Sequence, residues 1–178
     1  VSSAASDVFK REGYVVELVA GEPEVEDPVL TVFDGNGVLY VAEMRSYMQD
    51  VAGTGTKTLR NGRIKRLEDT NGDGRMDKVT VFVDGLNLPR MILPLDDRIA
   101  VRETDTMDVF CYRDSDGDGV ADQKELLYKR GSYGRGNNQS VEHQDSGLIW
   151  NLDNQIYISY NIERYRFTDG CLLYTSPS

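Results

Sequence analysis

One histidine, one tryptophan, two cysteines and five prolines are all that 178 residues contain of those types, and no apolar run is long enough to span a bilayer. Basic residues are also short: 20 Lys and Arg stand against 30 Asp and Glu, for a net charge of −10. An acidic chain of this kind argues against nucleic acid as a partner, because phosphates demand a basic surface. Bound divalent cations would offset part of that charge, so the excess does not by itself point to a basic partner. Helical periodicity is missing too. No window longer than a turn or two repeats at helical spacing, whereas short runs of Val, Ile, Leu, Phe and Tyr recur between Gly, Asp, Asn and Pro. The expected fold class is all-β.

The chain does not open on Met and carries no signal-peptide pattern, which is expected of a chain that starts after processing or inside a longer reading frame. Residues 1–12 are expected to be a flexible lead-in and 13–170 the folded domain. The last residues, Cys171-Leu-Leu-Tyr-Thr-Ser-Pro-Ser178, are similar to the translation of a transposon mosaic-end adapter and are set aside from the fold as an artefact of a metagenomic fragment. Cys111 then stands alone on an expected strand, buried, and the cysteines do not report a redox compartment.

What the chain does have is a repeated acidic loop. Asp69-Thr-Asn-Gly-Asp-Gly-Arg-Met-Asp77 and Asp114-Ser-Asp-Gly-Asp-Gly-Val-Ala-Asp122 share one pattern, each between segments of strand composition. In such loops alternate side-chain oxygens aim at one centre, a glycine permits the sharp turn, and the next residue offers its carbonyl. The expected Ca²⁺ ligands are Asp69, Asn71, Asp73, Arg75 (carbonyl) and Asp77 in the first loop, and Asp114, Asp116, Asp118, Val120 (carbonyl), Asp122 and Glu125 in the second. Glu125 falls where a bidentate carboxylate completes the shell, and the first loop has Thr80 there, so the second is expected to bind more tightly. Flanking sequences such as Val79-Thr-Val-Phe-Val83 are not helical, so the loops should close β-hairpins rather than an EF-hand. Asp-Gly turns without metal are the alternative.

Three segments repeat the order strand, Asp-containing turn, strand: Val29–Ala42, Met91–Val101 and Gly147–Ser159. The first two are followed by another strand, an acidic loop and a closing strand, a period of about 40–60 residues that suits four-stranded propeller blades. Blades are expected over 29–86 and 90–130, with half of a third over 147–170. This makes a partial β-propeller of about two and a half blades, with a β-sandwich as the competing architecture. Phe33, Phe82, Trp150 and Tyr157 are expected in the core. The polar stretches Arg45–Asn61 and Ser132–Ser146 are where binding groups are sought.

Four ordered motifs carry a resemblance: Gly13-Tyr-Val-Val-Glu-Leu-Val-Ala-Gly-Glu-Pro23, Tyr40-Val-Ala-Glu-Met-Arg-Ser-Tyr47, Leu67–Leu86 around the first acidic loop, and Gly147-Leu-Ile-Trp-Asn-Leu-Asp-Asn154. Over residues 11–170 the chain resembles the membrane-bound dehydrogenase domain of planctomycetes and verrucomicrobia, a β-propeller related to soluble quinoprotein glucose and sorbosone dehydrogenases. The resemblance implies a six-bladed type of ring and an exported bacterial protein, periplasmic or secreted. It also implies pyrroloquinoline quinone (PQQ) as cofactor, a sugar or alcohol as substrate, and an electron acceptor such as a cytochrome c domain. Haem c would belong only to a C-terminal domain that this sequence does not contain.

The only histidine lies in Glu142-His-Gln-Asp-Ser-Gly147, which looks like the His-Gln-x-Gly stretch of quinoprotein sugar dehydrogenases, with one extra residue before Gly147. There the histidine is the general base, so the resemblance makes His143 the candidate catalytic residue, and an imidazole suits that work near neutral pH. A hydrogen-bonded surface histidine is the plainer reading. Arg45, Tyr47 and Arg90 are the candidates to meet the quinone, since an arginine forks onto a carboxylate. The competing functions are a non-catalytic, calcium-stabilised propeller that binds carbohydrate or protein, and an extracellular scaffold.

Overall fold

The computed structural model describes residues 14–53, 56, 59–106, 108–129, 144, 147–158, 163–168 and 171–175. Every regular element among them is a strand. Alternation of apolar and polar residues with β-branched and aromatic side chains makes the strands, and Asp, Asn and Gly end them. Strands β1 (Pro28–Phe33), β2 (Leu39–Glu43), β3 (Gly62–Glu68) and β4 (Lys78–Leu86) form a first sheet. A second comprises β5 (Pro89–Leu95), β6 (Arg98–Glu103), β7 (Val109–Arg113) and β8 (Gln123–Tyr128), and a third β9 (Ile149–Trp150), β10 (Gln155–Ile158), β11 (Glu163–Thr168) and β12 (Cys171–Thr175). In each sheet the strands lie in chain order, and every neighbouring pair is antiparallel.

This is the up-and-down blade of a β-propeller, repeated three times, and the fold class agrees with the sequence reading. The third sheet departs from it in one respect. Residues 171–175, set aside on sequence grounds, pair with β11 from Arg164↔Thr175 to Thr168↔Cys171, so the sheet has a fourth strand.

The sheets are joined face to face by apolar side chains. Between the first and second, Tyr40, Ile64 and Phe82 meet Ile92, Ile99 and Tyr112, with the Tyr40 and Phe82 rings edge to face at 5.4 Å. Between the second and third, Met91, Leu93 and Cys111 meet Leu148, Ile156 and Ile158. Cys111 is buried as expected, and loss of solvent pushes its thiol up to about 11, which keeps it protonated and unreactive near neutrality. Phe82 is core, and Tyr157 is half-buried with its hydroxyl donating to Asp153 Oδ2 at 2.5 Å.

Phe33 and Trp150 are exposed, contrary to expectation. Each is the last residue of its sheet's first strand, at the edge of a tight turn. The Trp150 indole donates to Asn154 Oδ1 at 2.8 Å across that turn. Alternation chose the side of the strand, but none of the described residues covers that side there.

Because all strands alternate in direction, the connections fall at two ends. The turns 34–38 and 96–97 and both acidic loops lie at one end. The connections 44–61, 87–88 and 104–108 lie at the other.

Candidate functional site

The two acidic loops are built alike, bond for bond. Asp69 accepts from the amides of Gly72 (2.7 Å) and Gly74 (2.8 Å), and Asp114 accepts from those of Gly117 (2.7 Å) and Gly119 (2.8 Å). Asn71 and Asp73 accept from Asp73 N–H and Arg75 N–H, as Asp116 and Asp118 do from Asp118 N–H and Val120 N–H. Asp77 accepts from the amide and hydroxyl of Thr70, and Asp122 from those of Ser115. Short polar side chains bonding two residues ahead bend the backbone into a cup, and Gly74 (φ 86°) and Gly119 (φ 91°) supply the left-handed turns that it needs.

Ionisation of the first residue follows from this cup. The Gly74 amide, with that of Gly72, holds the Asp69 carboxyl below the usual carboxylate range. For Asp114, partial desolvation acts against ionisation, but the amides of Gly119 and Gly117 outweigh it and the carboxyl also titrates low.

Oxygens of Asp114, Asp116 and Asp118 lie within 4.8 Å of one another, which suits a hard divalent cation of the size and charge of Ca²⁺. In the first loop Asn71 replaces the middle carboxylate, leaving two charges at the corresponding positions. Glu125 is not in the cluster. Its chain leaves the loop as β8 instead of turning back in a helix, and Glu125, opposite Cys111, takes a hydrogen bond from Arg98 Nη1 at 3.2 Å. The second loop remains the more acidic one, through Asp116 rather than Glu125.

The second loop also touches the strand that precedes its own sheet. Ala121 N–H donates to Phe82 O on β4 at 2.9 Å, and a Cβ on Gly119 would stand 3.3 Å from Thr80 Oγ1. The second loop is therefore wedged at the junction of two blades, where a bound ion would brace both.

At the opposite end stand the other candidates. Arg45 pairs with Glu26 Oε2 at 2.8 Å, and Tyr47, half-buried, closes a turn with its amide on Met44 O at 2.9 Å. Arg90 donates from Nε to Thr104 Oγ1 (3.0 Å) and from Nη1 to Gln144 O (3.4 Å). Gln144 is buried and locked to Asp105: its Oε1 accepts from Asp105 N–H (2.9 Å) and its Nε2 donates to Asp105 Oδ1 (2.8 Å). His143 lies outside the described residues. Its neighbour Gln144 is thus fixed on the second sheet, at the end that also carries Arg45, Tyr47 and Arg90.

A repeated device at this end was not read from the sequence. Glu43 and Glu103 close the second strands of their sheets, and each captures the amide that precedes a Pro-opened first strand: Glu26 N–H to Glu43 Oε1 at 2.8 Å, Asn87 N–H to Glu103 Oε2 at 2.6 Å. Asp27 (φ 47°) and Leu88 (φ 45°), before Pro28 and Pro89, are held left-handed by this bond. Glu43 is further paired with the buried Lys65 at 3.2 Å, and Glu103 with Arg60 of the first sheet's 44–61 connection at 2.7 Å. The matching order of Pro and Glu was the only available signal. Beside Glu103 a cavity of about 380 Å³ opens between the first two sheets, lined by Arg60, Asn87, Phe110 and Lys124, whose Nζ sits 4.3 Å from the Phe110 ring centre.

A search of curated proteins finds no match. Among solved structures, a gluconolactonase from Xanthomonas campestris, described as important in glucose secondary metabolic pathways, is similar at 13% identity and a TM-score of 0.56. The likeness covers 92% of this chain and 51% of that one, so this chain spans about half the length of its structural relative. At that identity the likeness shows the fold. The family described as Domain of unknown function (DUF7133) matches residues 2–170, and the chain belongs to it.

Proposed function

We propose that the chain is part of a longer, exported propeller enzyme that oxidises a sugar or alcohol hydroxyl, on blades braced by Ca²⁺ at their junctions. One observation carries the metal reading: three carboxylates converge in a loop that also hydrogen-bonds to the neighbouring blade. Millimolar calcium outside the cytoplasm suits exposed loops of this kind, hence the periplasm or the exterior. The substrate class is suggested by the resemblance to quinoprotein dehydrogenases and is compatible with a sugar-handling structural relative.

In this reading Arg45, Tyr47 and Arg90 would hold PQQ, which would supply the two-electron acceptor for the hydride lost as the hydroxyl becomes a carbonyl, and a cytochrome c domain or similar acceptor would reoxidise it. His143 would take the hydroxyl proton; its neighbour Gln144 is clamped on Asp105, at the end that bears Arg45, Tyr47 and Arg90. Arg45 and Arg90 hold internal partners, so either must exchange them to meet a quinone carboxylate. That same pairing favours a second reading, a calcium-stabilised propeller that binds carbohydrate or protein without turnover.

Adding PQQ and a dye acceptor to the longer protein is expected to give sugar- or alcohol-dependent dye reduction, which His143→Ala lowers by about 100-fold or more. Quinone binding without turnover in the wild type would remove His143 from the mechanism. No quinone binding at all would leave the binding module.

A further inference from the structure

We propose that Val15–Ala20 is the outermost strand of a further blade, whose other three strands come from the part of the protein outside this sequence, so that the ring closes on the first sheet through it. The proposal rests on the ring reading, and two anchors at opposite ends of the segment carry it. At the acidic-loop end, Met76 N–H donates to Val19 O at 3.0 Å, as the equivalent residue of the second loop, Ala121, donates to Phe82 O on β4 at 2.9 Å. At the other end, Glu26 N–H reaches Glu43 as Asn87 N–H reaches Glu103. Residues 19–26 therefore stand to the first sheet as residues 82–87, the end of β4 and its exit, stand to the second.

The packing between the anchors agrees. Ala20 and Val25 lie on Leu39, Val41 and Leu67 of the first sheet, as Phe82 and Leu86 lie on Ile99, Val101 and Tyr112 of the second. Both stretches are short apolar runs that end at a glycine, Gly21 or Gly85. They differ in what covers them. Phe82 is 3% exposed against the second sheet, whereas its counterpart Val19 is 37% exposed and, further along the segment, Leu18 is 61% and Val15 76%, with no strand beside them among the described residues.

An extended apolar segment with a bare edge is a template for one more strand. The occupant is the third strand of an antiparallel sheet in the same ring, for which a structural relative about twice as long leaves room. Glu43 Oε2 adds a second mark of the same face: it is buried and accepts no hydrogen bond from the described residues, while its counterpart Glu103 takes Arg60 from the sheet before it. A cation from the second-to-third connection of the added blade would satisfy it.

Hydrogen exchange of the 178-residue chain and of the longer protein tests this. Amides of Val15–Ala20 are expected to exchange freely in the former and to be protected about 100-fold more in the latter, level with β4. Leu18→Asp should lower the melting temperature of the longer protein and leave that of the 178-residue chain unchanged. Equal, low protection in both proteins would overturn the strand assignment. If scattering then still reports a compact ring, only this assignment fails, and an open, elongated particle would sink the ring as well. Should Leu18→Asp fail to fold, the wild-type exchange comparison decides.

Discussion

Chelation of divalent cations is expected to lower the melting temperature by about 10 °C. A site held at about 100 times its dissociation constant adds about 2.7 kcal/mol to folding. For a chain of this size each kcal/mol moves the midpoint by about 2–4 °C, so two loops reach that figure. Asp114→Ala should remove more of the calcium-dependent shift than Asp69→Ala, because the second loop gathers three carboxylates where the first has Asn71 among two. Thermal melts with and without calcium, on both variants, measure the difference. An unchanged midpoint in chelator would retire the metal. Acid should act in the same direction. The folded Asp69 and Asp114 carboxyls titrate below their ordinary value of about 4, so their contribution is complete above that value and is lost as pH falls through the lower folded ones. Protonation also removes metal ligands, so calcium dependence and acid sensitivity should disappear together in Asp114→Ala.

The loops were legible because their information is local. Each Asp or Asn bonds an amide two to seven residues away, so the spacing of Asp and Gly already encodes the cup. Blade order was legible for a similar reason, since consecutive strands pair through short turns. Glu125 misled because its spacing belongs to a loop followed by a helix, and here a strand follows. Phe33 and Trp150 misled because alternation reports which side of a strand a residue takes but not whether another sheet covers it. The Glu43 and Glu103 devices stayed hidden because they join residues that only the folded chain brings together: Glu43 meets Glu26 and Lys65, and Glu103 meets Asn87 and Arg60. His143 was singled out by resemblance alone. The fold adds Asp105 and Arg90, which seize the residue beside it.

Glu43→Ala is the substitution expected to cost most in a single step, about 3–5 kcal/mol, or about 10 °C in melting temperature. Glu43 is fully buried and Lys65 nearly so, and among the described residues the ammonium has only Glu24 O, at 2.6 Å, besides the carboxylate. Removing the carboxylate strands a cation where water does not reach and also takes the acceptor from the Glu26 amide that holds Asp27 in its left-handed turn. The loss comes from the unpaired charge more than from the pair itself, since burying two ions costs nearly what their attraction returns. Glu43→Gln combined with Lys65→Met keeps an acceptor for Glu26 and removes both charges, so the double variant should recover most of the stability lost by either change alone. Denaturant melts of the three variants decide it. Strict additivity would mean that the two side chains do not act as a pair, and the first sheet would then owe the closure of its second strand to the apolar contacts of Leu39, Val41 and Leu67 alone.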